Sequence, residues 1–240
     1  MPTDERSPAP DHLTLLTCGE VEILGRLPWS SNRTYLANCK IDGSELAAVY
    51  KPGRGERPLW DFGDNIWRRE VAAYELSANT GWDLVPETVT RADGPLGAGS
   101  LQRFVPSDFE QHYFTMVDDE THFDRLRSIC AFDVVANNAD RKSGHCLLGE
   151  DGKIWAIDNG LCFHRETKLR TVIWEFAGDD LPADAVSALT ELCNEVPGSL
   201  RPLLDLAEID AMRRRAERLL ARGRLPQAPS GGPRYPWPLV

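Results

Sequence analysis

Hydrophobic and polar residues alternate along much of the first hundred positions, which is the spacing of β-strands with one buried face. Asp42 and Gly43 interrupt this alternation with a strong hairpin-turn signal. The front of the chain is therefore expected to be rich in β-structure. The predicted strands cover 13–24, 34–41, 45–50, 84–91 and 100–105.

Later in the chain, apolar residues recur at the spacing of an α-helix. Ile66, Val71 and Tyr74 predict a helix over 64–79, with Asp64 as its N-cap. A second helix is expected over 122–136. Two short strands, 146–148 and 154–157, follow it, and the rest is expected to be mostly helical as far as 222.

Changes in composition divide the chain into four parts. A polar arm covers 1–12, and a segment with many Pro and Gly residues covers 223–240; both are expected to be flexible. Between them, the strand-rich part 13–106 and the helix-rich part 107–222 predict an N-lobe and a C-lobe.

Charge and cysteine content narrow the class of protein. The 240 residues include 27 Lys+Arg and 37 Asp+Glu, a formal net charge of −10, which disfavours binding to nucleic acid or anionic lipid. The six cysteines form no C-x-x-C pair, which is typical of reduced cysteines. No apolar run is long enough for a signal peptide or membrane span. A cytoplasmic protein with no stable membrane association is therefore expected.

Two separated charged residues in the front half suggest phosphate chemistry only when they are taken together. Lys51 ends the strand 45–50, and Glu70 lies in the helix 64–79. Kinases use a strand lysine on ATP phosphates and a helix glutamate to orient it. Taken alone, Lys51 is more typical of a solvated strand end. Glu75 competes with Glu70 for the helix position, and either could be a solvated surface residue.

The region 137–145 carries the most specific signal. In the kinase catalytic loop an aspartate is followed five residues later by a metal-binding asparagine. Here Asp140 is followed at that distance by His145. Asp158 ends the next hairpin, so the two carboxylates are expected to converge. The alternative is an ordinary helix cap and turn rich in Asn and Asp.

These segments together resemble the phosphatidylinositol 3-/4-kinase-like family of the protein-kinase-like superfamily. The sequence is most similar to the type II phosphatidylinositol 4-kinase-like and HipA-like branch, and within it to an actinobacterial subfamily. The resemblance covers 13–182 and implies an α+β, two-lobed protein-kinase-like fold with a small β-rich N-lobe and a mainly helical C-lobe. The matching segments are Asn138-Ala139-Asp140-Arg141, Ile157-Asp158-Asn159-Gly160, Glu70-Val71-Ala72-Ala73-Tyr74 and Ser100-Leu101-Gln102-Arg103-Phe104-Val105.

The resemblance also implies a role for each matched position. Asp140 would be the catalytic base or would position the acceptor hydroxyl, and Lys51, oriented by Glu70, would contact the ATP phosphates. Asp158 would bind Mg²⁺ or Mn²⁺, with His145 in the second metal-ligand position. The remaining nucleotide-binding residues would be Ser30, Ser31 and Asn32 over the phosphates and Gln102, Arg103, Phe104 and Val105 around adenine.

The activity that follows is ATP-dependent phosphoryl transfer to a hydroxyl of a small polyol, a sugar or a protein. A lipid acceptor is least favoured, because no basic amphipathic helix with an exposed apolar face is evident. The arginine-rich stretch 213–222 is expected to be a solvated helix face. The alternatives are a nucleotide-binding pseudokinase, which would tolerate His145, and an enzyme that transfers AMP to a protein.

Overall fold

The computed structural model describes residues 10–28 and 32–240, and its chain divides into two compact units. Unit 1 comprises Met1–Arg57 with Glu87–Phe104, and unit 2 comprises Pro58–Pro86 with Val105–Val240. Most of the expected flexible arm 1–12 lies outside the described residues. The helix over 64–79, expected in the N-lobe, belongs to unit 2 by this division, and the lobe boundaries themselves stay a prediction.

Unit 1 is built on an antiparallel sheet. Its strands lie in the order β1-β2-β3-β5-β4, and β2 and β3 form the predicted hairpin. Asp42 and Gly43 both have positive φ, 47° and 84°, which suits a tight turn whose twist matches the strands. The strands are β1 (Glu20–Arg26), β2 (Tyr35–Ile41), β3 (Ser44–Pro52), β4 (Thr88–Arg91) and β5 (Gly99–Arg103).

The prediction of one strand over 13–24 is wrong in its first half. Residues His12–Cys18 form helix α1, because the Asp11 carboxylate accepts a hydrogen bond of 2.7 Å from the Thr14 amide and caps it. Leu15 and Leu16 of α1 are buried in the core of unit 1. Gly19 then allows the turn into β1, since a Cβ there would lie 2.4 Å from the Leu15 carbonyl oxygen.

Unit 2 is mainly helical and contains the larger apolar core. Helix α4 lies within this core, where it contacts α5, α6 and β7. The predicted helix 122–136 and the two predicted short strands are confirmed. The elements are α2 (Trp67–Asn79), α3 (Tyr113–Met116), α4 (Phe123–Ala136), β6 (Cys146–Leu148), β7 (Ile154–Ala156), α5 (Ala183–Asn194) and α6 (Leu206–Arg222).

Two details of unit 2 differ from the predictions. Helix α2 does not begin at Asp64, because Asn65 takes a left-handed backbone with φ 65° and the N-cap is Ile66. The arginine-rich helix face is not wholly solvated. Arg215 is buried, and its Nε donates to the Val135 carbonyl oxygen at 2.8 Å.

The cysteines and the helices agree with two further expectations. All six cysteines have free thiols, and four of them are buried. Within the part of the chain that the structure describes, no helix has the length and hydrophobicity to cross a membrane.

Candidate active site

The loop that carries Asp140 begins where α4 ends. Asn137 takes a left-handed backbone with φ 55° and stops the helix, and its amide donates to the Asp133 carbonyl oxygen. The Asn137 side chain also holds a later segment, since its Nδ2 donates to the His164 carbonyl oxygen at 2.8 Å. The polar Asn-Asp sequence is therefore both a helix cap and the start of the candidate site.

Four buried polar side chains fix the shape of this loop; we call Asp133, Asn138, Arg141 and Asn159 the brace cluster. Arg141 and Asp133 are fully buried and form an ion pair of 3.0 Å. Asn138 Nδ2 donates to Asp133 Oδ1 at 3.1 Å, so Asp133 holds the loop from helix α4. Arg141 Nη2 donates to Asn159 Oδ1 at 2.6 Å, so the same cation reaches the loop after β7.

The electrostatics of the brace cluster favour the charged form of Arg141. Burial disfavours the Arg141 cation, but the Asp133 carboxylate outweighs this and raises the pKa of Arg141. The guanidinium also donates to two backbone carbonyls, those of His145 at 3.1 Å and Ile157 at 2.6 Å. Because five donors fan out in one plane, a single arginine can join both loops.

Asp158 lies at the end of the β6–β7 hairpin in a sparsely populated backbone conformation. Its φ is 55°, which is uncommon for a residue with a side chain and occurs often at functional sites. The next residue holds the turn, because the Asn159 amide donates to Glu70 Oε2 at 2.9 Å. Gly160 permits this approach, since a Cβ there would lie 3.2 Å from Glu70 Oε1.

Asp140, His145 and Asp158 come together as predicted, and we call them the reactive cluster. His145 Nδ1 lies 2.9 Å from the Asp140 carbonyl oxygen, and His145 Nε2 lies 3.3 Å from Asp158 Oδ2. A hydrogen bond from Nδ1–H to the carbonyl would leave the Nε2 lone pair facing Asp158. The Asp158 side chain is 48% exposed, so an ion could reach it from solvent.

The burial of Asp140 changes its acidity. Its side chain is 24% exposed, and burial, with a further contribution from the nearby Asp158 charge, raises the pKa of Asp140 to about 6. Lys142 opposes this shift, since its Nζ lies 3.3 Å from Asp140 Oδ2. A carboxylate with a pKa in this range is suited to accept a proton near neutral pH.

The reactive cluster fits a divalent cation that has few protein ligands. Two ligands at right angles around Mg²⁺ lie roughly 3.0 Å apart, close to the 3.3 Å between His145 Nε2 and Asp158 Oδ2. Among the described residues there is no group of three or more His, Cys, Asp and Glu side chains that could form a metal cage. Mg²⁺ is usually bound by one or two protein groups together with water and substrate phosphates. The imidazole suits Mn²⁺ better than Mg²⁺.

The other predicted site residues lie mainly in unit 1. Lys51 lies on β3, in register with Ser100 of β5. Asn32 Oδ1 accepts a hydrogen bond of 3.0 Å from the Arg57 amide. Trp29 to Ser31, and with them the predicted phosphate-loop residues Ser30 and Ser31, lie outside the described residues.

The segment predicted to surround adenine is held by its own sheet. Gln102 Nε2 donates to Thr88 Oγ1 at 2.8 Å, and Arg103 pairs with Glu87 at 2.5 Å. The Phe104 amide donates to the Ala47 carbonyl oxygen at 2.9 Å, so this N–H has an acceptor within unit 1. Val105 is buried and belongs to unit 2.

Sequence comparison places the chain in a family. No family model matches the sequence. Protein Rv2133c of Mycobacterium tuberculosis is 40% identical over 266 residues, and the match covers 95% of each protein. This chain belongs to the Rv2133c family.

Structural comparison shows the fold of this Rv2133c-family chain. It is similar to the Helicobacter pylori proinflammatory kinase CtkA, with a TM-score of 0.53, 11% identity and coverage of 88% and 94% of the two chains. It is also similar to the structure of hydra Fam20 with sugar. The TM-score is 0.54, the identity is 14%, and the match covers 88% of this chain and 87% of the other. The predicted α+β protein-kinase-like fold, with a β-rich N-lobe and a mainly helical C-lobe, is confirmed.

The geometry brings into the site two residues that the sequence pattern does not single out. Lys142 was not singled out, although it lies two positions after Asp140 and contacts its carboxylate. Arg141 was noted only as part of a motif, and its burial gives it the central place in the brace cluster. The place of Lys142, two positions after Asp140, could have indicated that it lies in the site. No local pattern distinguishes a buried arginine from an exposed one.

Proposed function

We propose that this protein is an ATP-dependent phosphotransferase that acts on a hydroxyl acceptor, within the phosphatidylinositol 3-/4-kinase-like branch suggested by its motifs. The observation that supports this most strongly is the reactive cluster. It combines one carboxylate of raised pKa, Asp140, with a second carboxylate, Asp158, that lies beside His145. Phosphoryl transfer needs a group that positions the nucleophile and a separate group that holds the metal.

In this proposal Asp140 accepts a hydrogen bond or a proton from the acceptor hydroxyl. The positive charge of Lys142 lowers the pKa of Asp140 and so favours its ionised form. Asp158 and His145 would hold Mg²⁺ or Mn²⁺, which when bound would neutralise charge on the ATP phosphates. The brace cluster supplies rigidity, so that the reacting groups keep their positions.

The roles given to unit 1 residues by the resemblance remain predictions within this proposal. Lys51, with Glu70, would serve the phosphates, as would Ser30, Ser31 and Asn32, and the stretch 102–105 would serve adenine. The roles proposed for the reactive cluster do not depend on these assignments. Loss of ATP affinity in Lys51→Ala would support the first of them.

The proposal is tested by incubating the purified chain with γ-labelled ATP, Mg²⁺ or Mn²⁺, and a panel of polyols, sugars and proteins. Transfer is expected in the parent chain and is expected to fall by about a thousandfold or more in Asp158→Ala, because the metal loses its carboxylate ligand. Asp210→Ala, which removes an exposed aspartate from α6, is the matched control and should keep the parent rate.

The same assay separates the competing functions. The close approach of His145 Nε2 to Asp158 Oδ2, at 3.3 Å, favours a second candidate, a pseudokinase that binds nucleotide without turnover. In that case ATP would raise the melting temperature, and label would reach no acceptor. AMP transfer would instead release the labelled γ-phosphate in pyrophosphate, and the mass added to the product would identify it. Equal transfer by the parent chain and Asp158→Ala would contradict the proposal.

A further inference from the structure

The segment 234–240 is attached to the same part of unit 2 as the reactive cluster. The Arg234 carbonyl oxygen accepts hydrogen bonds from the Thr171 amide at 3.2 Å and from Trp174 Nε1 at 3.1 Å. Five residues later, the Leu239 carbonyl oxygen accepts a hydrogen bond of 2.8 Å from the Ser143 amide. The segment therefore has an anchor at each end.

Both anchors belong to the immediate surroundings of Asp140. Ser143 lies three positions after Asp140 in the same loop. The other anchor, Thr171, pairs with Arg141, since the Arg141 amide donates to the Arg170 carbonyl oxygen and the Val172 amide donates to Arg141, each at 3.1 Å. The segment thus connects two stretches that meet at the residue next to Asp140.

The segment buries only part of its apolar surface, with Leu239 37% exposed and Tyr235 43% exposed. Pro236 is buried, but Trp237 is 88% exposed and Val240 is 65% exposed. Burial of apolar area is the main source of stability, and regions with few buried contacts open at low cost in free energy. The anchors described above are hydrogen bonds, each of which gives only a small net stabilisation in water.

Ser143 carries a second indication that the contact can open. Its side chain is fully buried, and among the described residues Oγ has no hydrogen-bond partner. A buried hydroxyl without a partner is unfavourable. The docked arrangement therefore includes a polar group that would gain a partner if water or a ligand hydroxyl entered beside it.

We propose that segment 234–240 is a strap that selects the acceptor by size, so that small soluble hydroxyl compounds such as polyols and sugars reach Asp140 and protein acceptors do not. This inference rests on the proposed function for the identity of the acceptor. A small molecule can pass a strap that is held at two points, whereas a protein surface must displace it. The strap is thus a specificity-determining element of the site.

The strap is tested without turnover by measuring access to position 140 with thiol reagents. The parent for this test carries Asp140→Cys together with Cys18→Ser and Cys193→Ser, which remove the two cysteines that are not buried. Small iodoacetamide should label Cys at position 140 at similar rates with and without the strap. A bulky polyethylene glycol maleimide should react roughly tenfold faster in a chain that stops after Pro233, because labelling follows the open population.

A second variant protects the test against misfolding. A chain that stops after Pro238 loses the Leu239 anchor but keeps Arg234, and it should show an intermediate increase with the bulky reagent. Circular dichroism and melting temperature establish that each shortened chain is folded. Equal rates of bulky labelling in the full and both shortened chains would overturn the strap.

An activity measurement extends the same test to acceptors. With γ-labelled ATP, the chain that stops after Pro233 should phosphorylate an added unstructured protein such as casein, while the full chain should prefer polyols or sugars. If no chain transfers phosphate but bulky labelling still depends on the strap, the proposed function fails and the access barrier stands. If transfer occurs with the same acceptor preference in all chains, the selecting role fails and the proposed function stands.

Discussion

The brace cluster and the reactive cluster lie next to each other in sequence, yet their environments are opposite. Asp133 is fully buried and accepts hydrogen bonds from Asn138 and Arg141, whereas Asp158 is about half exposed and Asp140 is partly exposed beside the Lys142 cation. Buried polar networks that are fully paired hold geometry, whereas partly exposed carboxylates can be reached by ligands. The comparison separates residues that shape the site from residues that could react in it.

The largest effect expected from this comparison is on stability. Arg141→Met removes one partner of a buried ion pair and leaves the Asp133 carboxylate uncompensated, so the free energy of unfolding should fall by about 3–5 kcal/mol. Urea denaturation followed by circular dichroism measures this. Arg213→Met, which breaks an exposed pair with Glu217 on α6, is the matched control and should change stability by about 1 kcal/mol or less.

A double variant sharpens the same result. Asp133→Asn combined with Arg141→Met removes both charges, so the loss of stability should be smaller than the sum of the two single losses. Additive losses would show that Asp133 and Arg141 contribute independently and would remove the basis for treating the brace cluster as one unit.

The next effect has the opposite sign and concerns the reactive cluster. Asp140 titrates at about 6 in the folded chain, against an ordinary value of 3.8, so its ionised form destabilises the fold. This penalty is absent below pH about 4, grows up to about 6 and is complete above it. Asp140→Asn should therefore raise the free energy of unfolding by about 1–3 kcal/mol at pH 7.5 and by nothing near pH 4.

Denaturation in metal-free buffer at the two pH values measures the effect of Asp140→Asn. Asp210→Asn serves as the control, because Asp210 is exposed on α6. A loss of stability at pH 7.5 would show that Asp140 supports the fold and belongs with the brace cluster.

The smallest effect concerns the position of the Asp140 titration. Lys142 lowers the pKa of Asp140 by its charge and its hydrogen bond, so Lys142→Met should move the acid limb of the activity profile to higher pH, by less than about one unit. Lys153→Met is the control, since Lys153 pairs with Asp83 at the surface. An unchanged limb would mean that another group sets the acid dependence.

Local patterns were sufficient to predict much of the fold. The Asp42-Gly43 hairpin, helix α4 and the β6–β7 hairpin follow from turn residues and apolar spacing. The strand predicted over 13–24 was wrong in part. Leu13-Thr14-Leu15 alternates as a strand does, but these residues lie in a short helix that buries the adjacent Leu15 and Leu16. The cap at Asp64 was wrong because the left-handed turn at Asn65 depends on its surroundings.

The candidate site was only partly predictable, for a physical reason. The convergence of Asp140 and Asp158 could be predicted from spacing, because a hairpin returns the chain beside its start, and His145 was added by the kinase-loop pattern. The burial of Arg141 and the contact between Ser143 and Leu239 depend on tertiary packing. The sequence does not indicate the burial of Arg141, because arginine is usually exposed. It does not indicate the contact at Leu239 either, because every residue has a backbone carbonyl.

The most direct test of the account is the pH dependence of kcat/KM for phosphate transfer from γ-labelled ATP. If Asp140 acts as the base, kcat/KM should be constant above neutral pH and fall about tenfold per pH unit below about 6, because the protonated carboxyl cannot accept the hydroxyl proton. A bound divalent cation can only move this limb to lower pH. Asp140→Ala should lose transfer at every pH. Activity that rises as pH falls, or an Asp140→Ala variant that retains the parent rate at pH 7.5, would contradict the account.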